Sequence, residues 1–393
     1  MTIEARRQYL AAIRLRYKNS TRIQRSRILD EYCEVCGYSR KHAIRVLASN
    51  PATRTLRPGP RPRYDEQVVT HLLALWRLMN YMCSARMKAA VPLWLNYYAP
   101  EDLTEETKAR LLEISASSID RLLRPVKKGH KKGLSSTKAG AFLKSQIPIE
   151  LIDKHVDRPG YIEADTVAHC GDALAGQFAN SLTITDLLSG WTANRATWNK
   201  GADEVLAKIK EIRSDLPFKM IGFACDNGSE FINYSLVKYL QDHKNGYIKF
   251  VRRRPYKKND AAHVEQKNNT HVRQLFGYDR VEERDLVDLM NDIYRNYWNP
   301  LLNHFCPALK LTKKIRIGGK LRKFYDKPKT PYDRLIDCGK LTELQLARLK
   351  GDRELLNPIV LKRGLDAKLR LFGERLNRMK AGLVSKAETE GAA

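Results

Sequence analysis

The chain has 393 residues, enough for two to four domains, and its Lys and Arg exceed its Asp and Glu by 27. This excess predicts a polyanionic partner, because each phosphate that a protein neutralises releases counterions. The sequence shows no long uncharged apolar run and no signal-like start, which argues against a membrane as that partner. Seven scattered cysteines argue against a disulfide framework, so we expect a reducing cytoplasm.

Residues 1–50 predict a helix-turn-helix DNA-binding domain. Apolar side chains recur at helical spacing over residues 25–35, Cys36-Gly37 supplies a turn, and a second helix follows over residues 40–48. Cys33 and Cys36 form a CxxC without a second pair at zinc spacing, so we interpret Cys33 as core and Cys36 as turn. The second helix is expected to contact phosphates or base edges in a major groove through Arg40, Lys41 and Arg45.

Residues 51–63 predict a linker rich in Arg and Pro, because proline is excluded from the interior of helices and strands. The stretch could be a plain extended connection between two domains. It could equally lie along a narrow minor groove with Arg61 and Arg63 inserted. The sequence leaves both possibilities open.

Residues 64–126 predict a second helix-turn-helix DNA-binding domain, with a helix capped by Thr104 and a recognition helix over residues 115–123. A purely structural helical bundle is the alternative. Residues 127–157 predict a basic linker that crosses a DNA backbone. The side chains expected to face DNA in these two segments are Ser117, Ser118, Arg121, Arg124, Lys127 and Lys128.

Residues 158–300 predict an RNase H-like α/β core with a five-stranded mixed sheet. Alternating or continuous apolar runs indicate strands, and apolar residues at helical spacing indicate helices. The predicted order is three strands, helix, strand, helix, strand and two helices, over residues 161–167, 178–186, 191–198, 202–213, 220–225, 231–240, 248–251, 260–276 and 285–298. Ser229 is a candidate cap for the second of these helices.

Three carboxylates lie at informative places in this core. Asp165 falls in the first strand, Asp226 follows the fourth strand, and Glu265 falls in the next helix. Each alone could be a satisfied buried acid, a turn residue or an exposed helix position. Together they match the need of phosphodiester chemistry for two divalent metals about 4 Å apart, which prefer carboxylate oxygens. Glu163 is the next candidate ligand and Glu230 a weaker one.

The motifs around these acids are E-A-D-T-V-A-H at 163–169, C-D-N-G-S-E-F at 225–231 and H-V-E-Q-K-N at 263–268. They resemble the catalytic core of the DDE transposase and retroviral integrase superfamily, especially the integrase-core transposases of bacterial insertion sequences. Ala261 stands where close relatives are expected to have Asn. The resemblance implies that Asp165, Asp226 and Glu265 are catalytic and hold two Mg²⁺ ions, with Mn²⁺ able to substitute.

The same resemblance implies a DNA transposase that binds terminal inverted repeats, frees a 3′-OH by hydrolysis and transfers it into target DNA. It also implies double-stranded DNA as partner, at least a dimer, and a place at the bacterial nucleoid in the cytoplasm. Two alternatives are an RNase H-like nuclease without strand transfer and a non-catalytic DNA-binding regulator derived from a transposase. The residues expected to contact phosphates near the metals are Arg252, Arg253, Arg254, Lys257, Lys258, Lys267, Asn268 and Arg273.

The C-terminal part completes a multidomain α+β fold class, with all-α N-terminal units, the α/β core and a small β/α region. Residues 301–340 predict a small basic β module, with a hairpin that turns at Gly318-Gly319. By resemblance this module could bind DNA, although a hairpin packed on the core is the alternative. Residues 341–393 predict a helical tail that could mediate subunit contacts.

Overall fold

The computed structural model describes residues 3–49, 63–129, 156–225, 228, 230–243, 246–252, 267–317 and 320–390. The chain forms two compact units, Met1–Arg63 and Tyr64–Ala393. Their boundary coincides with the end of the predicted Arg- and Pro-rich linker. No helix in these described ranges is both long and apolar enough to cross a membrane.

The first unit contains helices α1 (Ile3–Lys18), α2 (Arg22–Cys36) and α3 (Arg40–Ala48) around a small apolar core. Helix α2 ends at Gly37, whose φ of 68° suits a residue without a side chain. The assignment of Cys36 to the turn was wrong, whereas Cys33 packs against the core as predicted. Cys36 is buried in the core and Cys33 is only half-buried, because α2 continues to Cys36 and places it one turn after the buried Tyr32.

The second unit begins with α4 (Glu66–Leu78), α5 (Ser84–Leu95), α6 (Glu105–Glu113) and α7 (Ala116–Leu123). Thr104 caps α6 as predicted, since its hydroxyl accepts a hydrogen bond from the Thr107 N–H. Apolar residues of these helices share one core with residues 276–306 and 359–379. Trp94 Nε1 also donates to the Phe305 carbonyl at 3.0 Å. The helices therefore pack on the following α/β region.

The sheet contains β1 (Tyr161–Ala168), β2 (Asn180–Asp186), β3 (Thr192–Thr197), β4 (Gly222–Cys225) and β5 (Lys249–Arg252). Its order is β3-β2-β1-β4-β5. The first three strands are antiparallel, whereas β4 runs parallel to β1 and β5 parallel to β4. This five-stranded mixed sheet, preceded by helices, confirms the predicted fold class and is an RNase H-like arrangement.

Two groups of helices surround the sheet. Helices α8 (Ala202–Asp215) and α9 (Tyr234–Gln241) pack on the apolar side of β1. Asn233 caps α9, which therefore begins later than expected, and the predicted cap Ser229 lies outside the described residues. Two helices follow β5: α10, from Asn268–Arg273 into Gln274–Phe276, and α11, from Arg284–Asp292 through Ile293–Trp298 to Asn299–Phe305.

Beyond α11, strands β6 (Leu311–Ile317) and β7 (Lys320–Tyr325) form an antiparallel hairpin. The predicted turn at Gly318-Gly319 lies outside the described residues. Helices α12 (Pro331–Asp337), α13 (Glu343–Glu354) and α14 (Pro358–Glu390) complete the chain. Phe372 and Leu376 of α14 pack into the shared core.

Asparagine side chains of α11 cover the outer edge of β3. Asn303 Oδ1 accepts from the Thr192 N–H at 2.9 Å, and its Nδ2 donates to the Thr192 carbonyl at 2.8 Å. Asn299 makes the same pair of bonds to Asn194, and Asn291 makes it to Ala196. The three amides stand in for a neighbouring strand, so this edge is closed to further strand pairing.

Replacing Asn303 by Ala is expected to reduce the free energy of unfolding by about 2–4 kcal/mol, because it leaves two buried backbone groups unpaired. Asn296→Ala is the matched control. Its side chain is exposed on the same helix and, within the described ranges, bonds only to Asp292, so a loss below about 0.5 kcal/mol is expected. Urea denaturation followed by circular dichroism measures both changes. Equal losses in the two variants would contradict the edge-covering role.

Gly160 enters β1 with a φ of +112°, and a Cβ at this position would lie 2.2 Å from the Lys219 carbonyl oxygen. Gly160→Ala is expected to destabilise the unit by about 3 kcal/mol, because the strained backbone and the overlap with main-chain atoms add together. Gly190 has a φ of +73°, but a Cβ there would have no atom within 4 Å. Gly190→Ala is therefore expected to reduce the free energy of unfolding by only about 1 kcal/mol. Denaturation midpoints of the two variants test the difference.

Candidate functional site

Asp165 lies in the middle of the central strand β1, on the face turned towards α10. Its Oδ1 accepts from the Thr166 N–H at 2.9 Å, and its Oδ2 accepts from Asn268 Nδ2 at 2.6 Å. Cys225, the last residue of β4, lies opposite Ala164 in the parallel register. The chain therefore leaves β4 beside Asp165 and returns as α10 to contact its carboxylate.

The other two predicted acids lie outside the described residues. Asp226 follows Cys225 directly in the sequence, and Glu265 precedes Asn268 by three positions. Both of these flanking residues are placed next to Asp165 or its strand neighbour. Five other predicted contacts also lie outside the described ranges, namely Arg61, Arg253, Arg254, Lys257 and Lys258.

Two further acids are buried near Asp165, one in β1 and one in the segment after β4. Glu163 precedes it by two positions, on the same face of β1, and is 4% exposed. Glu230 is 5% exposed and lies against the opposite face, where its Oε1 accepts from Thr166 Oγ1 at 2.6 Å and pairs with Lys200 Nζ at 3.2 Å. Glu230 thus ties the segment after β4 to the residue that follows Asp165.

Gly228 shows how closely this segment packs. A Cβ at this position would lie 2.5 Å from Glu230 Oε2. A side chain at this position would therefore require the Glu230 carboxylate to shift. The sequence indicated a turn here, but it did not indicate the contact with Glu230.

The donor atoms next to Asp165 fit a hard divalent cation. Asn268 Oδ1 is buried and has no hydrogen-bond partner within the described part of the chain. Together with the Asp165 carboxylate it offers the oxygen ligands that Mg²⁺ prefers, and Mg²⁺ commonly binds through one or two carboxylates plus water. Among the described residues, however, no group of three His, Cys, Asp or Glu side chains is placed to hold a metal.

The predicted cations of the core have structural contacts. Arg273 donates to the Ala168 carbonyl at 2.8 Å and lies 4.9 Å above the Tyr278 ring, and burial lowers its pKa. Burial, reinforced by the charge of Arg86, lowers the pKa of Lys267 to about 8. Arg252 is buried in β5. Arg273 is therefore tied to the end of β1 and Arg252 is withdrawn from solvent, while Asn268 contacts Asp165 directly.

Arg86 was not predicted. It lies on α5, where its Nε donates to the Pro307 carbonyl at 2.6 Å and its charge acts on Lys267. The sequence around it shows only an apolar periodicity, so no local signal indicates a link to the core. The contact joins residues 221 positions apart.

The N-terminal DNA-binding candidates are mostly exposed. Lys41 and Arg45 are exposed on α3, and Arg40 is exposed too but pairs with Asp30. Arg63 is exposed at the end of the first unit. These positions are compatible with the predicted contacts, which remain predictions.

On α7 the structure corrects one prediction. Ser117, Arg121 and Arg124 are exposed as expected, but Ser118 is 8% exposed. Its hydroxyl lies 3.0 Å from the Ser115 hydroxyl, because the third residue after a cap folds back over the first turn. The prediction that it faces outward was wrong.

Past α7, Lys127 bonds to Asp120 at 2.7 Å and lies 6.0 Å from the Trp76 ring centre. This side chain is therefore held against the helices. Lys128 lies in the short turn Val126–Gly129.

Comparison with known proteins gives one extended sequence match. The chain is 35% identical over 347 residues to the uncharacterized protein y4rM of Sinorhizobium fredii, covering 85% of this chain and 96% of that protein. No family model matches the chain.

Solved structures give weaker likenesses. The HTLV-2 integrase catalytic core domain in complex with magnesium (dimeric form) is 17% identical with a TM-score of 0.28, over 38% of this chain and 91% of that one. The catalytic core domain of BIV integrase is 14% identical with a TM-score of 0.27, over 45% and 94%. TM-scores this low do not establish a shared fold, so the RNase H-like assignment rests on the strand order described above. By its sequence, the chain belongs to the family of the uncharacterized protein y4rM of Sinorhizobium fredii.

Proposed function

We propose that this protein is a polynucleotidyl transferase, and more specifically a DDE-type DNA transposase of a bacterial insertion sequence. The observation that supports it most directly is the position of Asp165. This carboxylate lies on the central strand, beside the end of β4, and accepts a hydrogen bond from Asn268 of α10. The predicted partner Asp226 follows the last residue of β4 in the sequence, and the predicted partner Glu265 lies three positions before Asn268.

In this proposal Asp165, Asp226 and Glu265 hold two Mg²⁺ ions, which supply activation of the attacking oxygen and stabilisation of the leaving oxygen. The protein's own groups set the geometry. Asn268 and the Thr166 N–H fix both oxygens of Asp165. No side-chain nucleophile is required, so the same site can serve hydrolysis and then strand transfer.

Several partners follow from this chemistry. The N-terminal helical regions bind the terminal inverted repeats, using cations such as Lys41 and Arg45 on α3, and the core binds target DNA. Two element ends must be joined at one target, so the active assembly is at least a dimer. The protein acts in the bacterial cytoplasm at the nucleoid.

The test uses purified protein, labelled DNA carrying the element's own ends, and a plasmid target with Mg²⁺ or Mn²⁺. Nicking and joined products that need metal and are lost in Asp226→Asn support the transposase. Cleavage without joining assigns an RNase H-like nuclease instead. Tight binding of the ends with neither product in either metal overturns the enzymatic proposal and leaves a DNA-binding regulator.

A further inference from the structure

The hairpin of β6 and β7 has no role in the site around Asp165. Its residues 311–325 contain six Lys or Arg and no Asp or Glu. Such a segment repels itself, and the register makes this worse because Lys314 lies directly opposite Lys323. Like charges in directly opposed positions destabilise a ladder. An anionic partner would relieve this repulsion.

Both faces of β7 are open to solvent over residues 322–325. Arg322 and Phe324 lie on one face of β7, and Lys323 and Tyr325 lie on the other, because neighbouring residues alternate. All four side chains are exposed, and the two aromatic rings are 45% and 50% exposed. Each face therefore presents a cation together with an aromatic ring. The alternative of a hairpin packed flat on the core does not fit this exposure.

The base of the hairpin is firmly attached. The Asp326 N–H donates to the Lys310 carbonyl at 3.0 Å, and Asp326 Oδ1 accepts from the Lys310 N–H at 2.7 Å. Lys310 Nζ donates to the Leu187 carbonyl at 2.9 Å, in the turn between β2 and β3. The ribbon thus projects from the end of the sheet that contains Asp165, on a fixed base.

We propose that the hairpin of β6 and β7 is a ribbon that docks into the major groove of double-stranded DNA and neutralises its flanking phosphates. A strand of seven residues, such as β6, spans about 23 Å, and a B-DNA major groove about 12 Å wide admits a two-stranded ribbon. Cations on both faces meet the phosphates on either side. The inference rests on the proposed function only for the identity of the polyanion.

The first test changes charge without changing length. A variant with Lys313→Gln, Lys314→Gln, Arg322→Gln and Lys323→Gln is compared with a control carrying Lys350→Gln, Arg363→Gln, Arg370→Gln and Arg378→Gln. The control cations are exposed on α13 and α14. Fluorescence anisotropy measures the affinity for a 30-base-pair duplex at several NaCl concentrations.

The hairpin variant is expected to bind about 10- to 100-fold more weakly, and its log–log salt slope to fall by about 3, since each phosphate contact contributes about 0.9. The control variant is expected to change little. Unchanged affinity in the hairpin variant, or an equal loss in the control, overturns the proposal.

A deletion provides a second, independent measurement. Residues 311–325 are replaced by four glycines, which can close the gap because Lys310 and Asp326 are already hydrogen-bonded to each other. Dimethyl sulfate protection of guanine N7 reports on the major groove. The full chain is expected to protect these atoms and the deletion to expose them, with an unchanged unfolding midpoint. Protection that persists in the deletion contradicts major-groove docking.

Two further outcomes separate this inference from the proposed function. If the full chain joins DNA ends but neither hairpin variant loses affinity, the hairpin proposal fails and the transposase stands. If the variants lose DNA affinity but no cleavage or joining occurs in any metal, the transposase fails and the hairpin proposal stands. A third outcome is that the cation substitutions abolish binding to phosphatidylserine vesicles but leave the affinity for duplex DNA unchanged. This result assigns the hairpin to a membrane surface and overturns the DNA-docking proposal.

Discussion

Asp165→Asn is expected to lower the rate of DNA cleavage and joining by about 10³-fold or more. The change keeps the size of the side chain but removes the charge that would bind the metals, and metal stabilisation of the transition state is worth several kcal/mol. DNA affinity is expected to stay within about twofold, because the phosphate contacts lie elsewhere. Single-turnover rates over a range of Mg²⁺ concentrations, together with anisotropy, measure both quantities.

Asn268 allows a graded version of the same experiment. Asn268→Ala removes the 2.6 Å hydrogen bond to Asp165, and loss of a group that orients a metal ligand typically costs about 10- to 100-fold. Asn269→Ala is the matched control, because Asn269 is the next residue on the helix and is exposed. Excess Mg²⁺ is expected to restore part of the Asn268→Ala rate. Full activity in both Asp165→Asn and Asn268→Ala would remove Asp165 from the mechanism.

Two buried histidines are expected to cost the second unit about 4 kcal/mol of stability between pH 7 and pH 5. Burial lowers the pKa of His169 and of His304 to about 3, with help from Arg273 and Arg353 respectively. Burial, with the charges of Lys267 and Arg86, also lowers the pKa of His271 well below 6.5. The folded state keeps the imidazoles of His169 and His304 neutral in this range, and the shift of His271 acts in the same direction.

The direction of the effect follows from proton binding. Unfolded histidine has a pKa near 6.5, so below that pH the unfolded chain binds protons that the folded chain does not. Stability is therefore complete above about pH 6.5 and falls as the pH drops towards 3. His169 and His304 each contribute about 2 kcal/mol of the loss between pH 7 and pH 5. Urea denaturation at three pH values measures the dependence.

One variant separates the histidines from the many carboxylates. His304 Nδ1 is buried without a hydrogen-bond partner among the described residues, and the ring lies 5.2 Å from that of Trp191, so His304→Phe fits the same space. This variant is expected to lose about 2 kcal/mol of the stability change between pH 7 and pH 5. Gly160→Ala destabilises the unit but keeps every histidine, so it should retain all of it. An unchanged dependence in His304→Phe would contradict the assignment.

The strands and the place of Asp165 could be predicted because they depend on local patterns. Alternation along residues 161–167 indicates a strand with Asp165 on one face, and a strand is where the structure has it. The caps were partly predictable for the same reason. Thr104 was identified correctly, whereas Asn233 begins α9 in place of the expected Ser229. The sequence also determined the strong positive charge and the absence of acids in the hairpin.

Burial was harder to predict than secondary structure. The burial of Cys36 and Ser118 was predicted wrongly because each lies near a helix end. There, a shift of the helix boundary by one residue changes the direction in which a side chain points. The exposure of β7 on both faces is likewise invisible in its alternating pattern, which looks the same whether one face packs or not.

Tertiary structure alone decided the contacts that make the site. Asn268 and Asp165 are 103 residues apart, Glu230 and Thr166 are 64 apart, and Asn303 and Thr192 are 111 apart. Pairs this far apart in the sequence leave no periodic signal. The entropic cost of closing the loop between them changes only slowly with its length, so loop length does not select one pair over another. Sequence determines which elements form and which charges they carry. Only the packing of those elements determines which carboxylate meets which amide.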